Sequence, residues 1–261
     1  VTNDDVLSNI SYFRVTKDFT DDNPGEVDVF IDCNTGLILD QTKTITEEDG
    51  VIFVVTSFDS GELNCSIFEN PIPAGYSNEY AVGLDDSNGN PGVGVYFTDA
   101  EGCQFEEVEG GDFYCTIVNE LEPTEVEVNK LWLGEFEANG LSRFAKADYN
   151  CYNVRTSPTG TPTSVSGGLS FEGDSTDVIV DIYPHWNGDS YCSVTELDVD
   201  TAVEPDDSDC DNVPVVIGAT GSCTIYNTLF LEGIPTLNQY GIALLALLML
   251  GMGMVGFRRF S

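Results

Sequence analysis

The cysteines constrain the fold more than any other feature of the chain: eight of them fall as Cys33, Cys65, Cys103 and Cys115, then as Cys151, Cys192, Cys210 and Cys223. Their surroundings repeat. Glu62-Leu-Asn-Cys65-Ser-Ile-Phe-Glu69 answers Asp189-Ser-Tyr-Cys192-Ser-Val-Thr-Glu196, and Tyr114-Cys115-Thr-Ile-Val-Asn119 answers Ser222-Cys223-Thr-Ile-Tyr-Asn227. The chain therefore reads as a tandem duplication of units within the ordinary domain range of ~50–250 residues. We expect an N-terminal arm (1–10), a first domain (11–120), a short acidic linker with one proline (121–125), a second domain (126–230) and a tail (231–261).

An even number of cysteines in an exported chain implies disulfides. Four per domain allow three connectivities. The simplest pairs Cys33 with Cys65, Cys103 with Cys115, Cys151 with Cys192 and Cys210 with Cys223. No Cys-x-x-Cys or Cys/His spacing suggests zinc, and the single His185 could supply only one ligand.

Hydropathy alternates with the period of a strand. Val27, Val29, Ile31 and Cys33 share one face, and Val51 to Val55 and Val178 to Ile182 are β-branched runs bounded by Gly, Asp and Ser. No long amphipathic helix precedes the tail. Many short strands with such punctuation predict an all-β chain of two tandem antiparallel sandwiches.

Against 45 acidic residues stand 9 basic ones. Phosphate backbones need basic clusters, so nucleic acid is excluded as a partner. Acidic surfaces gather cations, and Asp85-Asp86-Ser87-Asn88-Gly89-Asn90 and Asp206-Asp207-Ser208-Asp209 are weak candidates for calcium. Neither completes a calcium loop, and no cofactor is expected.

Strand parity carries the chemistry. Lys17 lies on the same face as Phe13, Val15 and Phe19, and Lys130 on the same face as Val126, Val128 and Trp132. Glu69 follows Cys65 and Ile67 inward, Glu196 follows Cys192 and Val194, Asn119 follows Cys115 and Ile117, and Asn227 follows Cys223 and Ile225. Each domain sends one Lys, one Glu and one Asn into its core, where an unpaired charge costs several kcal/mol, so the three should meet.

These patterns resemble the collagen-adhesin B-region and SpaA-like pilin domains, over most of residues 11–228. Val15-Thr-Lys17, Ser66-Ile-Phe-Glu69 running into Pro73-Ala-Gly75-Tyr76, and Ile117-Val-Asn119 carry the resemblance in the first domain. Val128-Asn-Lys130, Val194-Thr-Glu196 and Ile225-Tyr-Asn227 carry it in the second, which lacks the Pro-x-Gly-Tyr stretch. The resemblance implies Ig-like, prealbumin-like sandwiches in which the Lys amine attacks the Asn carboxamide, the Glu carries protons, ammonia leaves, and an isopeptide bond joins first strand to last. Disulfides are a departure, since the resembling pilin domains normally lack them.

The tail has its own signature. Ile234-Pro235-Thr236-Leu237 and a short polar spacer precede an unbroken apolar run from Ile242 to Phe257, and Arg258-Arg259 close it. The run predicts a short hydrophobic helix with its C-terminus held in the cytoplasm by the positive-inside bias. This arrangement resembles the IPTL-type C-terminal sorting signal of Gram-negative bacteria, with Tyr240 where that family usually has Trp. It implies an exosortase-like membrane peptidase as a partner, at least transient membrane contact, and an envelope or extracellular destination. Val1 in place of an initiator Met fits removal of a secretory signal peptide.

With one His and all cysteines expected to be oxidised, no base and nucleophile constellation for an enzyme stands out. His185 and Trp186 fit a strand-end packing role. The sequence therefore predicts a non-catalytic surface structural protein that polymerises with itself into a filament or surface layer. A singly anchored adhesin or ligand-binding stalk is the alternative, and an enzyme the weakest reading.

Overall fold

The computed structural model describes residues 9–47, 49–84, 96–98, 101–136, 140–197 and 202–229. The expected N-terminal arm lies almost wholly outside them, and the hydrophobic helix of 242–257 and the sorting motif entirely so.

The first ten strands are β1 (Ile10–Phe19), β2 (Val27–Cys33), β3 (Leu37–Ile38), β4 (Thr42–Ile45), β5 (Gly50–Thr56), β6 (Leu63–Glu69), β7 (Tyr76–Leu84), β8 (Tyr96–Thr98), β9 (Cys103–Val108) and β10 (Gly111–Leu121). They form a six-stranded sheet in the order β3-β5-β1-β10-β7-β8 and a four-stranded sheet in the order β4-β2-β6-β9. Alternation places the core between them: Phe13, Val15 and Phe19 of β1, Val29 and Ile31 of β2, Phe53 and Val55 of β5, Ile67 of β6 and Ile117 of β10 are all buried in one cluster. Each such side chain contributes about 1.5–3 kcal/mol on leaving water.

The remaining strands are β11 (Thr124–Leu133), β12 (Phe144–Arg155), β13 (Thr163–Glu172), β14 (Ser175–Pro184), β15 (Tyr191–Leu197), β16 (Val203–Asp206), β17 (Val213–Pro214) and β18 (Gly221–Leu229). A 3₁₀ turn, Ser208–Cys210, lies between β16 and β17. Their order is β16-β18-β11-β14-β12-β15-β17, with β13 on the other side of β12. Strand β14 joins the two halves of this set, pairing with β11 from Ser175 to Ile182 and with β12 only at Tyr183 and Pro184. A second cluster of buried residues includes Val126, Val128, Trp132, Phe171, Ile179, Val194 and Ile225.

Two expectations are corrected. The sheets are not purely antiparallel: β1 runs parallel to β10, and β11 parallel to β18. Parallel neighbours need a long crossover, and here the crossover is the rest of the domain, so each domain closes by laying its last strand beside its first. The expected linker over 121–125 shrinks to Glu122 and Pro123, because Leu121 still pairs in β10 and Thr124 already pairs in β11.

All four disulfides have the simplest pairing: Cys33–Cys65, Cys103–Cys115, Cys151–Cys192 and Cys210–Cys223. The duplication is visible in their placement. Cys33–Cys65 and Cys151–Cys192 each join directly opposed residues of neighbouring strands. The other two each tie an outlying segment, β9 or the 3₁₀ turn, to the last strand of its domain.

Between the domains lies a joint that no sequence pattern announced. Arg155 donates from Nη2 to the backbone oxygen of Asp21 at 3.0 Å, and its Nη1 stands 3.9 Å from the Asp21 carboxylate. Tyr76 donates to the same carboxylate at 3.0 Å. Burial raises the pKa of Asp21, against the opposing pull of Tyr76 and Arg155, and burial likewise raises that of Tyr76. Tyr183 and Ile217 from the second domain pack on the first domain's core. Backbones meet at Gly75 and Gly218, where a Cβ on Gly75 would stand 2.4 Å from the Gly218 nitrogen.

Candidate functional site: a buried Lys, Glu and Asn in each domain

Lys17 sits on β1 in register with Ile117 of β10, and Asn119 lies two residues further along, beside Phe19. In the second domain Lys130 is in register with Ile225, and Asn227 lies two residues further, beside Trp132. Strand period places lysine and asparagine on the same inward face in both domains. The acid comes from β6 as Glu69 and from β15 as Glu196, strands that pair with neither the lysine strand nor the asparagine strand.

The six residues predicted from parity therefore gather into two sets of three. Asn119 Nδ2 donates to Glu69 Oε1 at 3.0 Å, and Asn227 Nδ2 donates to Glu196 Oε1 at 2.7 Å. The other carboxylate oxygen faces the amine: Lys17 Nζ stands 3.9 Å from Glu69 Oε2, and Lys130 Nζ donates to Glu196 Oε2 at 2.8 Å. The side chains of Lys17 and Glu69 are both 0% exposed, and those of Lys130 and Glu196 are 0% and 3% exposed. In both sets the Asn carbonyl oxygen is buried without a hydrogen-bond partner.

Burial sets the electrostatics. Desolvation pulls the Lys17 amine down to about 8, with Glu69 and Glu47 opposing the shift. It pushes the Glu69 carboxyl up, against the hydrogen bond from Asn119 and the charge of Lys17. Lys130 is also pulled down by burial, with Glu196 opposing. In the first domain the two shifts favour a neutral amine beside a neutral acid.

Sequence reasoning missed the surroundings of the two sets. Lys17 Nζ lies 3.9 Å from the Phe19 ring centre and Lys130 Nζ 5.0 Å from that of Trp132. The signal was present as an aromatic residue two positions after each lysine. A second carboxylate supports each set: Glu47 accepts the Phe19 N–H, and Asp207 accepts the Glu196 N–H at 3.1 Å. Tyr80 accepts the Glu69 N–H at 3.2 Å and Asn78 Nδ2 at 2.7 Å.

His185 and Trp186 stand at the end of β14, their rings 5.1 Å apart, with His185 Nδ1 accepting the Asn187 N–H. Of the calcium candidates, 85–90 lies outside the described residues. At the other, Asp206 accepts both the N–H and the hydroxyl of Ser208, and Asp207 is engaged by Glu196. Among the described residues no group of three or more His, Cys, Asp or Glu could hold a metal ion.

Residues 233–259 match the IPTL-CTERM motif, which spans Ile234, Pro235, Thr236, Leu237, Arg258 and Arg259. With four disulfides, this motif marks the chain as exported and associated with the envelope. No curated protein sequence matches the chain. Its structural neighbours include the Bacillus anthracis TIE protein, at 14% identity and a TM-score of 0.44 over 85% of this chain and 34% of that one. The chain thus spans about a third of that protein's length. The major pilin of Streptococcus pyogenes is similar at 13% identity and a TM-score of 0.28, over 86% of this chain and 99% of that one. A single B repeat unit (B1) of the collagen-binding surface protein of Staphylococcus aureus is similar at 16% identity and a TM-score of 0.28, over 85% and 98%.

Proposed function

We propose that the chain is a non-catalytic structural protein of the cell surface whose two domains staple themselves with Lys–Asn isopeptide bonds, and which assembles with copies of itself into an extracellular filament or surface layer. The observation that carries the reading is the repetition of one buried Lys, Glu and Asn set, in one register, in both domains. A buried salt bridge serving stability alone would not need an asparagine donating to the same carboxylate twice over, since a hydrophobic replacement of such a pair is often neutral or stabilising.

The chemistry follows from the contacts. The neutral lysine amine attacks Cγ of the asparagine, while the glutamic acid, which holds the amide nitrogen through one oxygen and faces the amine through the other, passes a proton between them. A C–N bond forms, the Cγ–Nδ2 bond breaks, and ammonia leaves. The reaction is intramolecular and happens once per domain, so the chain acts on no substrate but itself. Bonding first strand to last closes each domain covalently, which suits a subunit that carries load along its length.

Export and sorting would run through the tail, by an exosortase-like peptidase at the membrane. Electron microscopy of material shed by the native cells, with mass spectrometry of the same fraction, tests the assembly reading. Regular filaments or sheets containing this chain support it. Dispersed particles only would leave a singly displayed protein and refute self-assembly.

A further inference from the structure

The second site borders a cavity. In the second domain a cavity of about 360 Å³ reaches the site, its wall formed by Trp132, Phe144, Glu196 and Asn227, with Ser142 and Lys146 exposed at its mouth. Asn227 is 1% exposed, its nitrogen is held by Glu196, and its carbonyl oxygen is buried with no hydrogen-bond partner. That combination, an electrophilic carboxamide and its proton carrier at the edge of a cavity, is what a small nitrogen nucleophile needs. At roughly 30 Å³ per water-sized molecule the space admits ammonia or a short alkylamine and excludes a folded partner. The neutral amine is the form that reacts, since a protonated nitrogen has no lone pair with which to attack Cγ.

We propose that this cavity is the exit for the ammonia released from Asn227 and, through the same opening, a binding site for small neutral primary amines that compete with Lys130 for the Asn227 carbonyl carbon. The inference rests on the isopeptide reading. The step balances without a cofactor: the amine nitrogen bonds to Cγ of Asn227, the Cγ–Nδ2 bond breaks, the proton shed by the attacking nitrogen passes through Glu196 to Nδ2, and ammonia leaves. Trp132 and Phe144 cover the alkyl part of the entering amine.

The test uses the full chain, isolated unfolded and refolded in methylamine, with peptide mass spectrometry. In a Lys130→Ala variant Asn227 becomes the methylamide, gaining one methylene. Asn227 unmodified in the first variant, while the parent chain loses ammonia from its second domain, overturns the inference and leaves the isopeptide reading intact. A parent chain that keeps that ammonia overturns both. A second variant does not depend on removing a buried side chain: Ser142→Trp places a ring over the mouth of the cavity. It slows ammonia loss from the second domain several-fold and leaves the first unchanged, and an unaltered rate contradicts the exit route.

Discussion

Asn119 stands two residues beyond the register partner of Lys17 on a parallel neighbouring strand, and Asn227 stands in the same relation to Lys130. A two-residue offset on one face lets a long lysine side chain lean along the strand toward a short asparagine, with the glutamate arriving from across the core. The arrangement is the product of a topology, first strand beside last, as much as of residue types.

Titration of the unreacted first domain should have a minimum of stability near neutrality. In an Asn119→Ala variant, which cannot bond, Lys17 keeps its pKa of about 8 against an ordinary 10.5. Between these values the unfolded chain holds a proton that the folded one has lost, so stability rises with pH. Glu69 acts oppositely: its raised pKa means that the folded chain keeps a proton the unfolded one releases, so stability falls as pH climbs above 4.5. Urea midpoints measured from acid to alkaline pH should trace this dip, and a flat profile would contradict it.

Breaking the interdomain joint should uncouple the domains. Arg155→Ala leaves the Asp21 carboxylate, whose side chain is 0% exposed, without its cation. Removing one partner of a buried pair costs about 3–5 kcal/mol. Calorimetry should then resolve two unfolding transitions where the parent chain gives one.

Glycines separate packing from backbone cost. Gly75 and Gly61 have φ of +77° and +79°, but a Cβ at Gly75 would collide with Gly218 and Ile217, whereas Gly61 has nothing within 4 Å. Gly61→Ala should cost only the left-handed backbone penalty of ~1–2 kcal/mol. Gly75→Ala should cost clearly more, because the clash adds to that penalty, and the difference should appear in chemical denaturation and vanish in a chain already uncoupled by Arg155→Ala.

Much of this was legible in the sequence because strand parity is local. Once Phe13, Val15 and Phe19 are inward, Lys17 must be too, and the same logic fixed Glu69, Asn119 and their counterparts. The cysteine repeats exposed the duplication for the same reason: their flanks are contiguous. Pairing direction was not legible, since the parallel contact of Lys17 with Ile117 joins residues at opposite ends of a domain, and no alternation encodes it. Nor was the Asp21 and Arg155 pair, which has no counterpart in the repeat. The cavity beside Asn227 depends on how Trp132, Phe144 and Glu196 from separate strands fail to fill a space, a property of packing that no single segment carries.

The most direct test of the account is the intact mass of the reduced chain, compared with Glu69→Ala, Glu196→Ala and the double variant. Self-stapling predicts a parent mass short of two ammonia molecules, one restored by each single substitution and both by the double. A parent chain at its full sequence mass would contradict it and leave the two buried sets as salt bridges alone.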